Sequence, residues 1–417
     1  MSNPVILHLT SVLSGGAGQY TMNIHQNMIT DGYESYVCYN GEQLIVPSGE
    51  VVSITHKKSP FASRLKRYVL RQLISWTGGV DMKYAPYNLF EHIDFYNPDD
   101  LLKVLPNKPT HIMVHWVSGY ANAKYVRKLQ ERTGAKIYYW MIDEACLSGG
   151  CHFPWDCEGY KNGCKDCPMS KSRIIKHTIR KNFQFKQRYI TPDMEIVLPT
   201  EMDKLRLKQS QLWEGHVWHK LIEIVNDEVF CPATDRVALL KKYNLPTDKR
   251  IILFGSFNLA EERKGMRVLL ETLRMVNRAD TVCVVIGSND RLEISLPTIR
   301  MGRVDIPTLA DLYRVADVFV CPSLEDSGPQ MINQSIMSGT PVVAFEMGVA
   351  LDIVKTGETG YLAQWNDAAD MAKGINNILD LNKEDYNIMA VKCRRLALQT
   401  YSTHCQKEFI ETLLING

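Results

Sequence analysis

Val5-Ile6-Leu7-His8-Leu9, followed by Ser14-Gly15-Gly16-Ala17-Gly18, and later Ile251-Ile252-Leu253-Phe254-Gly255, are the stretches that decide the fold. Each is a short apolar run that ends at glycine and leads toward a helical pattern. A run that is apolar throughout, rather than alternating, suits a parallel strand covered on both faces. A strand end followed by a helix N-terminus is where an α/β domain receives phosphate. Two such places in one chain predict two α/β domains facing one ligand.

Similar runs recur through the chain. They are Ser35–Tyr39, His111–His115, Ile137–Met141 and Glu195–Leu198 in the first half, and Ile222–Val225, Val282–Ile286, Val318–Cys321 and Pro341–Phe345 in the second. They alternate with helical patterns, as in a doubly wound fold. The chain's 417 residues exceed one ordinary core and fit two domains of roughly 150–200 residues each. The boundaries expected are an N-terminal domain over 1–205, a C-terminal domain over 206–382, and C-terminal helices over 383–417. The helical stretch Lys383–Leu414 either caps the second domain or crosses back to the first.

Hydrophobic residues make up 45% and charged residues 23%, which excludes a disordered chain. The formal net charge of +2 does not identify a partner, and no nucleic-acid partner is expected. No stretch approaches the ~20 apolar residues of a membrane span. The N-terminus has no basic flank or cleavage site and enters a strand at once, so the expectation is a cytoplasmic protein without a signal peptide. Eleven cysteines in that compartment argue against a disulfide framework. Cys38, Cys283 and Cys321 lie inside apolar runs and read as small core residues.

Three segments carry candidate chemistry. At Gly15-Gly16-Ala17-Gly18 the missing Cβ atoms let backbone N–H groups approach an anion; the plainer alternative is a tight strand–helix turn. At Glu262-Arg263-Lys264-Gly265 two cations stand at the start of a helix expected over Met266–Val276. Cations are disfavoured there by the helix dipole, so an anion such as a diphosphate would explain them; the alternative is two solvated surface charges. The third segment, Pro322-Ser323-Leu324-Glu325-Asp326-Ser327-Gly328-Pro329-Gln330, follows a strand and precedes a helix from about Met331 to Met337 and the sequence Gly339-Thr340-Pro341-Val342-Val343. Carboxylates at a strand's C-terminal end lie where α/β proteins hold ligands.

The order Gly255, Lys264-Gly265, Ala316-Asp317, Pro322-Ser323, Glu325-Asp326, Gly339-Thr340-Pro341-Val342-Val343 and Gly357-Glu358-Thr359-Gly360-Tyr361-Leu362 resembles the retaining GT-B glycosyltransferases of family 4. The resemblance implies an α/β GT-B fold, two Rossmann-like doubly wound domains facing across a cleft. It implies an enzyme that moves a sugar from a UDP-, GDP- or dTDP-sugar with retention of configuration and no catalytic metal. Arg263, Lys264, Asp326 and Asp143 are then the catalytic candidates. Gly15, Gly16, Gly255, Ser256, Arg263, Lys264, Glu325, Ser327, Gly328 and Gln334 are the donor-binding candidates. The family often carries two glutamates seven residues apart, the first facing the donor sugar and the second the ribose hydroxyls. Here those positions map to Asp326 and Gln334, or in a shifted register to Glu325 and Asn333. The departure leaves open an inactive sugar-nucleotide-binding or scaffold protein. A sugar-nucleotide epimerase of the same architecture is a further alternative.

In the first half, Asp143-Glu144-Ala145-Cys146, Gly149-Gly150-Cys151-His152 and Gly163-Cys164-Lys165-Asp166-Cys167-Pro168 resemble a subset of that family, of the colanic-acid and O-antigen type. That resemblance implies a growing bacterial surface polysaccharide as acceptor, carried on a lipid diphosphate. Those enzymes usually have His-Asp where this chain has Ile142-Asp143. The spacing of Cys151, Cys157, Cys164 and Cys167 within the loop 146–168 allows a tetrahedral structural zinc, with reduced thiols or a labile disulfide as alternatives. Zinc is the expectation, since no long helix or strand is expected to hold the loop.

Two basic stretches have helical spacing of apolar residues. One is Lys57-Lys58, Arg64, Lys66, Arg67 and Arg71, and the other is Lys171, Arg173, Lys176, Arg180, Lys181, Lys186 and Arg188. Both suit peripheral contact with anionic lipid; the alternative is a packed helix with a solvated face.

Overall fold

The computed structural model describes residues 4–40, 51–53, 60–76, 78–256, 260–276, 278–287 and 293–415. Lys57 and Lys58, named above, lie outside the described residues. The chain forms two compact units. The first comprises 1–199, 203–220 and 409–417, and the second 200–202 and 221–408.

The strands of the first unit are β1 (Val5–Thr10), β2 (Glu34–Tyr39), β3 (Val51–Ser53), β4 (His111–Val114), β5 (Lys136–Trp140), β6 (Glu195–Leu198) and β7 (Trp218–Lys220). They form one sheet in the order β3-β2-β1-β4-β5-β6-β7, parallel at every junction. Its longer helices are α1 (Gly15–Thr30), α2 (Phe61–Trp76), α3 (Pro98–Leu102), α4 (Ala123–Thr133) and α5 (Arg173–Tyr189). All six positions of β1 are buried, as a strand covered on both faces requires.

The second unit has β8 (Arg250–Gly255), β9 (Thr281–Ile286), β10 (Thr298–Gly302), β11 (Val318–Cys321), β12 (Val342–Phe345) and β13 (Gly360–Ala363). Their order is β10-β9-β8-β11-β12-β13, again parallel throughout. In both sheets the order reverses beside the first strand of the unit, between β1 and β4 and between β8 and β11. Such a reversal opens a crevice at the carboxyl ends of the strands.

Several expected elements differ. Ile222–Val225 is not a strand. Its backbone bonds elsewhere: Val225 N–H donates to Tyr401 O at 3.2 Å, and Glu223 O accepts from Asn333 Nδ2 at 2.7 Å. Strands β3, β7, β10 and β13 were not expected. β3 and β7 have three residues each, and β10 is only half-buried, so neither length nor apolar continuity marks them. β7 carries residues 218–220 into the first unit.

The stretch Lys383–Leu414 is two helices, Lys383–Thr400 and Thr403–Ile415. They part at Tyr401 and Ser402, where Asp227 Oδ1 accepts from Thr403 N at 3.0 Å and Thr403 Oγ1 at 2.6 Å. Residues from Phe409 onward belong to the first unit. There Phe409 meets Trp140 edge-on at 6.0 Å, and Leu413 O accepts from the Tyr138 hydroxyl at 3.1 Å.

Candidate functional site

The second unit's site is built around one glycine. Gly265 has φ +65°, and a Cβ there would lie 1.8 Å from Pro322 O. Only glycine allows the turn 262–265 to lie against the end of β11. Leu324 N–H then donates to Arg263 O at 2.7 Å, which locks the acidic loop onto the cationic turn. From the other side Gly348 (φ +53°) presses on the same loop, and a Cβ on it would sit 2.4 Å from Asp326 O. Gly255 closes the end of β8 in the same way, since its Cβ would lie 2.5 Å from Ile286 O.

Arg263 and Lys264 occupy a 3-10 turn, Glu262–Lys264, and not the helix that follows over Met266–Met275. The dipole argument therefore does not describe their setting. Both meet the same carboxylate oxygen: Arg263 Nη1 lies 2.7 Å and Lys264 Nζ 2.5 Å from Asp326 Oδ2. Arg263 Nε also reaches Glu261 at 2.8 Å. Burial opposes ionisation of Asp326, but Lys264 and Arg263 outweigh it and hold the carboxyl below its ordinary range. Asp326 and Glu261 together balance the two cations and hold them at the carboxyl edge of the sheet. An incoming phosphate would meet donors already held in place.

Glu325 and Ser327 are buried within the same loop, and Gly328 and Ser256 flank it. Gln334 is turned away: its Oε1 accepts from the buried Tyr313 hydroxyl at 3.4 Å. The ribose contact expected of Gln334 thus has a competing partner. The sequence reading missed Glu223. Its Oε2 lies 3.7 Å from where a Cβ on Gly328 would be. Burial, and then the charge of Asp326, push its carboxyl well above its ordinary range. No motif marks it, because it arrives from the segment read as a strand.

In the first unit Gly15 and Gly16 open α1, with nothing within 4 Å of either would-be Cβ. The N-cap Ser14 makes no side-chain cap bond, so the first amides of α1 are open to an anion. Gly18 serves packing instead, since its Cβ would lie 2.4 Å from Leu13 C.

Asp143 caps the 3-10 turn Glu144–Leu147 through Ala145 N at 2.9 Å. Its other oxygen lies 2.7 Å from His152 Nδ1. His152, which the sequence offered only as an alternative to one thiolate in the cysteine loop, is instead brought to Asp143 by the fold of that loop.

Among the described residues no group of three or more His, Cys, Asp or Glu side chains is arranged to hold a metal ion. The tetrahedral set expected of Cys151, Cys157, Cys164 and Cys167 is not assembled; all four are free thiols. Burial pushes the Cys164 thiol up to about 12 and Cys167 to about 11. The premise that no long helix holds this loop is not met. Lys186 of α5 donates to Ala145 O at 2.6 Å and Ser148 O at 3.0 Å. Asn182 donates to Gly149 O at 3.0 Å, and Gly149 packs so closely that its Cβ would lie 2.5 Å from Ile179 O.

The two basic helices differ. Helix α5 buries Ile175, Ile179, Phe183 and even Lys186, so it is a packed helix with a solvated face. Helix α2 buries no residue. It exposes Phe61, Leu65, Tyr68, Val69 and Trp76 among Arg64, Lys66, Arg67 and Arg71. No helix among the described residues is long and apolar enough to cross a membrane.

With this geometry in view, comparison with known proteins is decisive for the second unit. Residues 248–381 match the family "Glycosyl transferases group 1". The chain is 29% identical over 177 residues to a D-inositol 3-phosphate glycosyltransferase of Streptomyces scabiei, covering 37% of this chain and 39% of that protein. It is 30% identical over 151 residues to a phosphatidyl-myo-inositol mannosyltransferase of Mycobacterium leprae, covering 33% and 40%. The matched stretches thus span about two fifths of these relatives. Over the whole chain the fold is similar to sucrose-phosphate synthase of Thermosynechococcus elongatus, with TM-score 0.69, 14% identity and coverage of 99% and 98%. It is also similar to Anabaena HepE in complex with UDP and glucose, with TM-score 0.68, 12% identity and coverage of 99% of each chain. The two-sheet α/β fold is shared with these structures of the GT-B type. The surface-polysaccharide subset inferred from the cysteine loop is not among these relatives, which act on inositol lipids and small phosphates by name.

Proposed function

We propose that this protein is a glycosyltransferase that takes a sugar from a nucleotide-diphosphate donor, with retention of configuration. The observation that carries the reading is the Arg263–Lys264–Asp326 cluster, held by Gly265 inside the group 1 segment. Arg263 and Lys264 bind and neutralise the departing diphosphate, so the catalytic work is mainly electrostatic. Asp326 keeps both cations charged and aimed until the donor arrives. The acceptor is a lipid-diphosphate-linked saccharide of a bacterial surface polysaccharide, reached at the inner face of the cytoplasmic membrane. Support for that part comes from the cysteine-loop motif and from the exposed basic and apolar side chains of α2.

Two experiments test this reading. Release of nucleoside diphosphate from UDP-, GDP- and dTDP-glucose by the purified protein should occur with one of the three. A protein that binds a donor yet releases none is the binding or scaffold protein that the engaged Gln334 favours. Flotation with anionic liposomes should carry the protein up at low salt and fail as salt rises, because each basic residue contributes ~1 kcal/mol and is screened. Replacing Arg64, Lys66, Arg67 and Arg71 with Gln should abolish flotation. Equal flotation on neutral liposomes would remove α2 from the account.

A further inference from the structure

A second reactive centre lies in the first unit, at the reversal of strand order between β1 and β4. Three side chains far apart in sequence meet there. Ser118 follows β4, Asp143 follows β5, and His152 comes from the cysteine loop. His152 Nδ1 lies 2.7 Å from Asp143 Oδ2, and His152 Nε2 lies 3.0 Å from Ser118 Oγ. The order hydroxyl, imidazole, carboxylate is the one in which a serine is activated as a nucleophile.

Each member is held in place. Asp143 Oδ1 accepts from Ala145 N at 2.9 Å, so the carboxylate cannot rotate freely. The imidazole is 1% exposed. Tyr87 meets it edge-on at 5.2 Å and Trp116 lies at 5.6 Å. The Ser118 carbonyl accepts from Ser11 Oγ at 2.7 Å, tying the loop after β4 to the loop after β1. Ser118 itself is half-buried. Its neighbour Gly119 is exposed, with φ +70° and nothing within 4 Å of a would-be Cβ.

The tautomer follows from charge. Trp116 Nε1 also lies 3.0 Å from His152 Nδ1. An indole N–H only donates and a carboxylate only accepts, so the two cannot share one state of Nδ1. The carboxylate is closer and carries charge, which selects the Nδ1–H form. Nε2 is then the basic nitrogen, and it faces the serine hydroxyl. Ser118, Asp143 and His152 line a small cavity together with Glu91, Lys186, Tyr139 and Asn88. The Tyr139 hydroxyl and Asn88 Oδ1 are buried there without a hydrogen-bond partner.

We propose that Ser118 is an activated nucleophile that takes acyl groups from carboxylic esters, with His152 as its base and Asp143 as the group that orients the base. Ser118 Oγ attacks the ester carbonyl as its proton passes to His152 Nε2. The C–O bond to the alcohol breaks, and the alcohol leaves with that proton. Water then attacks the acyl-serine in the same way, releasing the acid and restoring the hydroxyl. The substrate class is a small O-acyl ester, such as an acylated sugar. This activity stands apart from sugar transfer and does not depend on it.

The test is p-nitrophenyl acetate with the full-length protein, read by intact mass and peptide mapping. The expected result is a burst of p-nitrophenol and one acetyl group on Ser118. His152→Gln should slow acylation at least ~100-fold, the usual contribution of a positioned base. Ser118→Ala should abolish the adduct, with a melting temperature matching wild type to show that the fold is intact. Should His152→Gln unfold, a fluorophosphonate probe on wild type and Ser118→Ala gives the same reading through labelling of Ser118. No adduct on wild type, or an adduct formed equally fast without His152, would overturn the proposal.

Discussion

Two buried aspartates stand at the carboxyl edges of the two sheets and meet opposite company. Asp326 faces the side chains of Arg263 and Lys264. Asp143 faces the imidazole of His152. Under the proposals above, the first arrangement would receive an anion and the second would orient a proton acceptor. The same fold edge thus holds a carboxylate between cations in one unit and against an imidazole in the other.

The comparison breaks most readily at Lys264. Lys264→Ala should lower nucleoside diphosphate release ~100- to 1,000-fold, because one preorganised charge contact contributes ~2.7–4 kcal/mol to the transition state. Turnover within a few-fold of wild type would mean that the cation cluster is structural.

The glycines sharpen it next. Gly265→Ala must adopt a left-handed conformation, at about 1–2 kcal/mol, and displace the Pro322 carbonyl, at about 1–3 kcal/mol more. A large drop in melting temperature should follow. Gly16→Ala meets open space and should leave thermal stability within ~0.5 kcal/mol of wild type. Equal losses in the two variants would contradict the closed and open turns described above.

Acid separates the two aspartates more gently. The folded state holds the Asp326 carboxyl below its ordinary value. Its pairing therefore contributes stability above the ordinary carboxylate range and loses it as pH falls through the lowered value. Asp326→Asn should reduce stability at pH 7 by less than the ~3–5 kcal/mol of a fully buried pair. The difference from wild type should shrink in acid titrations monitored by melting temperature. A difference that stays constant down to pH 2 would exclude the ion pair as its cause.

Much of this was legible in the sequence, and the reasons are specific. Val5–Leu9 and Ile251–Phe254 are apolar at nearly every position, and only doubly covered strands need that. Gly265 and Gly255 could be singled out as turn residues, although the contacts that demand glycine, Pro322 O and Ile286 O, come from distant segments. The pairing of Asp326 with Arg263 and Lys264 was not visible, because 62 residues separate Lys264 from Asp326 and charge alone does not choose partners. Glu223 was missed for the same reason, and His152 was read only as an alternative ligand in the cysteine loop, not as the partner of Asp143. The anchoring of the cysteine loop was not visible either, since four thiols at metal-like spacing say nothing of a helix elsewhere that holds the loop through Lys186 and Asn182.

Thermal unfolding with UDP-, GDP- and dTDP-sugars tests the central claim most directly, because a ligand that binds only the folded state raises the melting temperature by mass action. Wild type should gain stability with at least one of the three. Arg263→Ala combined with Lys264→Ala should lose that gain while Ser118→Ala keeps it. A gain unchanged by loss of both cations, or no gain from any of the three donors, would contradict a diphosphate site at Arg263, Lys264 and Asp326.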